Sequence, residues 1–278
     1  MNEEKRGRLE YEGKHLRRNY YIRTMKYFLA LTIIAASCKS SSNINKPDPV
    51  YTLVWSDEFN GTSVDLSSWN YNTGGKGWGN NEQEYYTDQN ATIENGNLVI
   101  TGKAETIGSN GYTSSRLTTQ GKREFLYGKV EASIKIPAGQ GLWPAFWMLG
   151  ANINTVNWPL CGEIDIMEHI NADSIFYGTL HWVNNQKVSA GNQINSAPEN
   201  YHVYAIEWNA DAINWSLDGV KFHSVEIKNN INSTEEFHKP FFILLNLAIG
   251  GDWPGQTIDQ NKLPAKMFVD YVRVYQKQ

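Results

Sequence analysis

The sequence predicts an all-β domain, a sandwich or barrel built from many short strands. Three observations carry that expectation. The stretch from Tyr127 to Ile136 alternates, with Val130, Ala132, Ile134 and Ile136 on one face and Lys129, Glu131, Ser133 and Lys135 on the other. A period of two marks a half-buried strand. Gly, Asn and Asp recur as turn residues at close spacing, and Asp218-Gly219 between two alternating runs is a hairpin dipeptide. Beyond Cys38 no segment sustains a 3.6-residue apolar period, and there is no internal repeat.

From the N-terminus, residues 1–24 are highly charged and carry no apolar run. Met25 then opens MKYFLALTIIAASCKSSS, in which Lys26 precedes an apolar stretch from Tyr27 to Ala36. A positive start followed by an apolar segment too short to span a bilayer is a secretory signal. Ala35-Ala36-Ser37-Cys38 is similar to a bacterial lipobox, which implies lipidation of Cys38. An ordinary signal peptide with an incidental cysteine is the alternative. Met25 begins a complete signal by itself, so residues 1–24 are expected to stem from a start codon assigned too far upstream. The expected division is a mis-called start plus signal over 1–37, a lipidated cysteine and flexible linker over 38–50, and one domain over 51–278. The protein is expected to be exported and lipid-anchored to a bacterial membrane.

Residues 1–37 hold eight of the 25 Lys/Arg and four of the 29 Asp/Glu, which leaves 17 basic and 25 acidic residues and a net charge near −8. An acidic surface argues against a nucleic-acid partner. With Cys38 lipidated, Cys161 would be the remaining thiol, so no intrachain disulfide is expected. Stability must then come from a sizeable core, and a monomer is expected. Within the domain, Tyr201–Trp208 and Ala212–Leu217 read as strands flanking an Asn-Ala-Asp turn, Val220–Ile227 as the next, and Lys266–Tyr275 as a closing strand.

All ten tryptophans fall after Cys38, and several lie in stretches that carry Gly or Pro: Trp78 in GWGNN, Trp143 and Trp147 in GLWPAFW, Trp253 in GGDWPG. Packing accounts for some tryptophans in turns. As a group, these suit flat platforms for the C–H faces of sugar rings.

The most informative stretch is Cys161-Gly-Glu-Ile-Asp-Ile-Met-Glu-His169. In an extended strand Glu163 and Asp165 share one face, with Ile164 and Ile166 on the other. Glu168 lies five positions after Glu163 and would point the wrong way. One extra residue, a β-bulge at Ile166-Met167, restores the parity. The two glutamates could then converge to the roughly 5–5.5 Å of a retaining glycosidase. A solvated acidic face is the bland alternative, but the apolar segments on either side argue for a central strand. A divalent-cation site is another, for which no nearby His or Asp completes a ligand set in sequence.

The segment Glu163-Ile-Asp-Ile-Met-Glu168 resembles the catalytic signature of glycoside hydrolase family 16, in the form found in its laminarinase (endo-β-1,3-glucanase) branch. The likeness runs from about residue 51 to 276 through LVWSDEFNG, GWGNNEQEYY, YTSSRL, YGKVEASIKIPAGQGLWPAFWMLG, GTLHW, LNLAIGGDWPG and VDYVRVYQ. It implies a β-jelly-roll sandwich of two antiparallel sheets, the concave one forming a cleft for β-glucan. It implies Glu163 as nucleophile, Glu168 as acid and then base, Asp165 tuning the pair, and His181 hydrogen-bonding the carboxylates. A packed core histidine is the other reading of His181. Asn80, Arg116, Trp143, Trp147 and Trp253 match sugar-contacting positions, although Arg116 could instead serve a structural ion pair. The resemblance implies that no cofactor is needed for catalysis. Many relatives hold a structural calcium on the convex side, where Glu58, Gly96 and Asp270 match. A non-catalytic glucan-binding protein and a hydrolase of another polysaccharide, such as agar, remain alternatives.

Overall fold

The computed structural model describes residues 50–277. The expected signal sequence, Cys38 and nearly all of the linker lie outside the described residues. In chain order the strands are β1 (Tyr51–Asp57), β2 (Asn70–Asn72), β3 (Glu84–Tyr86), β4 (Ala91–Glu94), β5 (Asn97–Gly102) and β6 (Tyr112–Ser114). Then come β7 (Arg116–Thr118), β8 (Glu124–Phe125), β9 (Gly128–Lys135), β10 (Leu142–Gly150), β11 (Glu163–Glu168) and β12 (Ile175–Asn184). The last are β13 (Gln186–Asn195), β14 (His202–Trp208), β15 (Ala212–Leu217), β16 (Val220–Glu226), β17 (Phe241–Ile249) and β18 (Ala265–Lys277). Among the described residues, α-helix is limited to one turn, Ile153–Val156.

Two eight-stranded antiparallel sheets form a sandwich. One, the cleft sheet, has the order β13-β12-β11-β10-β17-β7-β2, with β8 on β17. The other, the outer sheet, runs β16-β15-β14-β9-β18-β5-β4, with β1 on β18. The core lies between them, where Val130 and Ile134 of β9 and Trp215 of β15 join Phe146 and Met148 of β10, Ile164 of β11 and Leu245 of β17. Burying one such large side chain contributes about 1.5–3 kcal/mol. Strand β17, FFILLNLAI, is buried on both faces. Its second apolar face packs in a smaller cluster, where Phe242 and Leu244 meet Leu149, Cys161 and the helical turn's Ile153 and Val156.

Strand β9 keeps the inward set read from its alternation, but its other face is drier than that pattern suggests. Glu131 and Ser133 are buried. Neighbours β14 and β18 flank this strand on both sides. Glu131 is also covered by Lys129 at 2.6 Å and by the Tyr275 hydroxyl, which donates to it at 3.2 Å. The β15–β16 hairpin turns where expected. Asp218 and Gly219 both take positive φ, +49° and +78°, as a type I′ turn requires.

Candidate active site

Strand β11 lies between β10 and β12 in the middle of the cleft sheet. In the ladder with β10, Phe146 pairs with Met167 and the next residue, Trp147, pairs with Asp165, so Ile166 is extra. On the other side, Asp165 pairs with Thr179 and Glu168 with Tyr177. Both Ile166 and Met167 are packed into the core. Two successive inward residues shift the parity, and Glu163, Asp165 and Glu168 all line the same cleft.

Two of the three carboxylates are nearly dry, with Asp165 3 % exposed and Glu168 9 %, while the Glu163 side chain is 16 % exposed. Burial, reinforced by the Asp165 charge, pushes Glu163 up to about 8. Burial likewise raises Asp165 to about 8. Glu168 is pushed well above the carboxylate range by burial and then by the charges of Asp165 and Glu163. Three close acids cannot all ionise in a dry site, so the cluster holds protons at neutral pH. The ionised form of Glu163 is favoured by His181, the Trp158 indole and Arg116.

His181 sits opposite Glu163 in the β11–β12 ladder. Its Nε2 lies 3.3 Å from Asp165 Oδ2 and 3.8 Å from Glu163 Oε1. The contact with Asp165 is a close polar approach without hydrogen-bond alignment, since Oδ2 has no aligned partner. Among the described residues, Glu163, Asp165 and His181 are the three metal-capable side chains that converge, with ligand atoms within 4.8 Å of one another. The histidine missing from the local sequence is thus supplied across the sheet by register.

Indoles build the walls. Trp143 donates its N–H to Glu168 Oε1 at 3.0 Å and meets Trp253 edge-on, with centroids 5.6 Å apart. Trp253 also packs against Tyr177 and remains 40 % exposed. Trp147 donates to Asn246 Oδ1 at 2.7 Å. Asn246 donates to the Tyr86 hydroxyl, Tyr86 to Glu82, and Asn80 to the other oxygen of Glu82. The guanidinium of Arg116 lies 4.8 Å from the ring centroids of both Trp78 and Trp147, a cation held between two π-faces. No carboxylate pairs with Arg116 at ion-pair distance among the described residues. Desolvation lowers its pKa, opposed by Tyr86, Glu82, Glu163 and Glu84.

The cleft has a volume of about 640 Å³ and is lined by Asn80, Arg116, Trp143, Trp147 and the three acids, among others. Trp253 adjoins it through Trp143, and His181 through the carboxylates. Trp158, Lys187, Asn246 and Asp252 also line it and were not singled out from the sequence. Asn246 left a signal, as the one polar residue in the apolar run of β17. Lys187 left none: its ammonium comes 4.1 Å from the Trp158 ring centroid only through the β12–β13 pairing.

Glu58, Gly96 and Asp270 lie on the outer sheet and its connections, apart from the cleft. The Glu58 carboxylate is held in a fork by Arg273, at 2.9 and 2.7 Å, leaving its main-chain oxygen as the freer donor. Gly96 follows Asn95 in the β4–β5 hairpin, both at positive φ (+76° and +52°). Asp270 is the residue skipped between Val269 and Tyr271 in the β18–β9 ladder, and it is exposed. An exposed carboxylate and main-chain oxygens are ligands that suit calcium.

A β-sandwich whose central cleft strand gathers three acids between indole walls defines a glycoside hydrolase. Residues 69–273 match the family model of glycosyl hydrolases family 16, and the chain belongs to that family. It is 37 % identical to the "Beta-glucanase" of Rhodothermus marinus, covering 89 % of this chain and 93 % of that protein. It is 44 % identical to the "Clotting factor G alpha subunit" of Tachypleus tridentatus over 82 % of this chain but only 34 % of that longer protein. Among solved structures, the endo-beta-1,3-glucanase of Pyrococcus furiosus superimposes with a TM-score of 0.77 at 43 % identity, over 83 % of this chain and 96 % of that one.

Proposed function

We propose that the protein hydrolyses internal β-1,3 bonds of laminarin-type glucan with retention of configuration, and that mixed-linkage β-1,3-1,4-glucan is a second substrate. The observation that carries this is the bulge at Ile166, which brings Glu163 and Glu168 to one face with Trp143 donating to Glu168. The proteins named β-glucanase and endo-β-1,3-glucanase support the choice of polymer and of internal cleavage.

In the proposed reaction Glu168, protonated in its dry site, gives its proton to the glycosidic oxygen as that bond breaks. Glu163 reacts in its carboxylate form, which His181, the Trp158 indole and Arg116 favour against burial and the Asp165 charge; it attacks the anomeric carbon and forms a glycosyl ester. Glu168, now ionised, takes a proton from water; the resulting hydroxide displaces Glu163 and the second inversion restores the β configuration. Asp165 and His181 set the charge around Glu163. Trp143, Trp147 and Trp253 stack on glucose rings, while Asn80 and Arg116 contact hydroxyls. Export with a lipid on Cys38, and a calcium at the main-chain oxygens of Glu58 and Gly96 with Asp270, complete the proposal.

The test is reducing-end release by protein starting at Lys39, wild type beside Glu163→Gln, on laminarin, barley mixed-linkage glucan, agarose and carrageenan. Laminarin cleavage that vanishes in the variant is the expected result. Cleavage of a galactan alone would overturn the substrate, and here Lys187 makes the sulfated arm worth running. Binding of laminarin with no cleavage would make the protein a glucan-binding one.

A further inference from the structure

Asp165 and Glu168 face the cleft together because Ile166 is extra in the β10 ladder. That bulge is held from across the core. Trp215, fully buried in the middle of β15 of the outer sheet, donates its indole N–H to the main-chain oxygen of Asp165 at 2.7 Å. On β12, Gly178 lies between Thr179, the partner of Asp165, and Tyr177, the partner of Glu168, and so faces the bulge. A Cβ at position 178 would stand 2.5 Å from Trp215 Cδ1 and 3.0 Å from its Nε1. Gly178 is not at positive φ. What position 178 demands is therefore space for the indole. The His223 ring packs on Trp215, with centroids 4.7 Å apart, and steadies its orientation.

A phenyl ring would fill the same volume without this contact. In a dry core an indole N–H must be paired, and a bulged strand leaves main-chain groups out of the regular ladder. We propose that Trp215 and Gly178 are positioning residues for the glycosidase reaction: the gap at Gly178 admits the indole, whose N–H pins the bulged main chain at Asp165 and so sets the Glu168 carboxyl relative to Glu163. Trp215 touches no reacting atom; it acts through the strand. The inference rests on Glu163 and Glu168 being the catalytic pair.

The test compares wild type, Trp215→Phe, Gly178→Ala and the double variant by thermal unfolding, laminarin kinetics across pH, and carboxyl NMR titration of Glu168. Phe keeps the packed ring and removes only the N–H; the Ala methyl displaces the indole. Glu168 faces Glu163 and Asp165 on its own strand, His181 and Tyr177 on β12, and Trp143 on β10. Each single variant is expected to unfold cooperatively and to keep KM within about twofold, while kcat falls roughly tenfold or more, as for a small misplacement of a reacting group. The Glu168 titration and the alkaline limb of the rate profile move to lower pH as water reaches the loosened bulge. The double variant falls no further than the worse single one, because both break one contact. A lowered melting temperature with unchanged kcat and unchanged limb would overturn the proposal. Wild type that cleaves no glucan would overturn the function instead. In that case the Glu168 titration still decides: a curve identical in wild type and Trp215→Phe sinks the positioning role.

Discussion

Trp143 donates its indole N–H to Oε1 of Glu168 at 3.0 Å while its ring meets Trp253 edge-on. One side chain thereby joins the proposed proton donor to the indole wall of the cleft. The N–H favours the ionised form of Glu168, against burial and the charges of Asp165 and Glu163, which favour the protonated form. Replacing Trp143 with Phe removes the opposing contact and raises the Glu168 pKa further. The alkaline limb of kcat/KM against pH should move up, with kcat/KM at neutral pH lowered about tenfold, as for the loss of one hydrogen bond to a charged group. A limb that stays in place would show that the contact is absent in the working enzyme.

Glu168→Ala separates the two chemical steps. The expected loss in kcat is roughly 10²–10⁴-fold. Azide should restore turnover by attacking the glycosyl ester from the face that water uses, and chromatography should identify a β-glycosyl azide. An α-azide would mean inversion or exchanged roles.

The Glu163 carboxyl also predicts a pH dependence of stability. Its folded pKa, about 8, lies above the ordinary carboxylate value of 4.5. Between those values the unfolded chain has released the proton and the folded chain keeps it. The unfolded state then binds fewer protons, and stability falls as pH rises. Glu163→Gln removes this loss, on the order of a few kcal/mol at neutral pH. Calorimetry should find the variant melting higher than wild type at pH 7, by about 2–4 °C for each kcal/mol, and nearly level with it at pH 4. A variant no more stable at pH 7 would show that the site is not dry enough to penalise the charge.

Calcium at the outer sheet predicts a stabilisation that depends on the ion. At 100 times its dissociation constant the ion adds about 2.7 kcal/mol, so the melting temperature of EDTA-treated protein should rise by several degrees on adding calcium. Asp270→Asn should abolish the rise. Equal melting temperatures with calcium and EDTA would remove the ion from the proposal.

Fatty-acid labelling in cells should mark wild type and leave Cys38→Ala unmarked. Equal labelling would end the lipid-anchor proposal.

Much of the site is written locally. Five positions separate Glu163 from Glu168, and that odd spacing forces a bulge if both are to share a face. Ile166 is the residue skipped. The GLWPAFW stretch likewise marked Trp143 and Trp147, whose indoles reach the cleft. Other parts were not legible because their partners are remote in the chain. Trp215 looks like any core residue of an alternating strand until its N–H is seen on Asp165, in the opposite sheet. Glu131 read as an outward polar residue, yet its face is buried. Alternation tells one face from the other, while burial of the polar face depends on which side chains of adjoining strands lie over it.

The sequence by itself determined strand identity, the turns at Asp218-Gly219, the family and the parity of the acids, because each follows from short-range stereochemistry or ordered motifs. Only the tertiary structure decided that His181 stands against Asp165, that Arg116 lies between Trp78 and Trp147, and that Trp215 reaches the bulge. Those contacts depend on strand register and on how two sheets stack. Both are set by packing the whole core at once, and no local pattern in the chain encodes them.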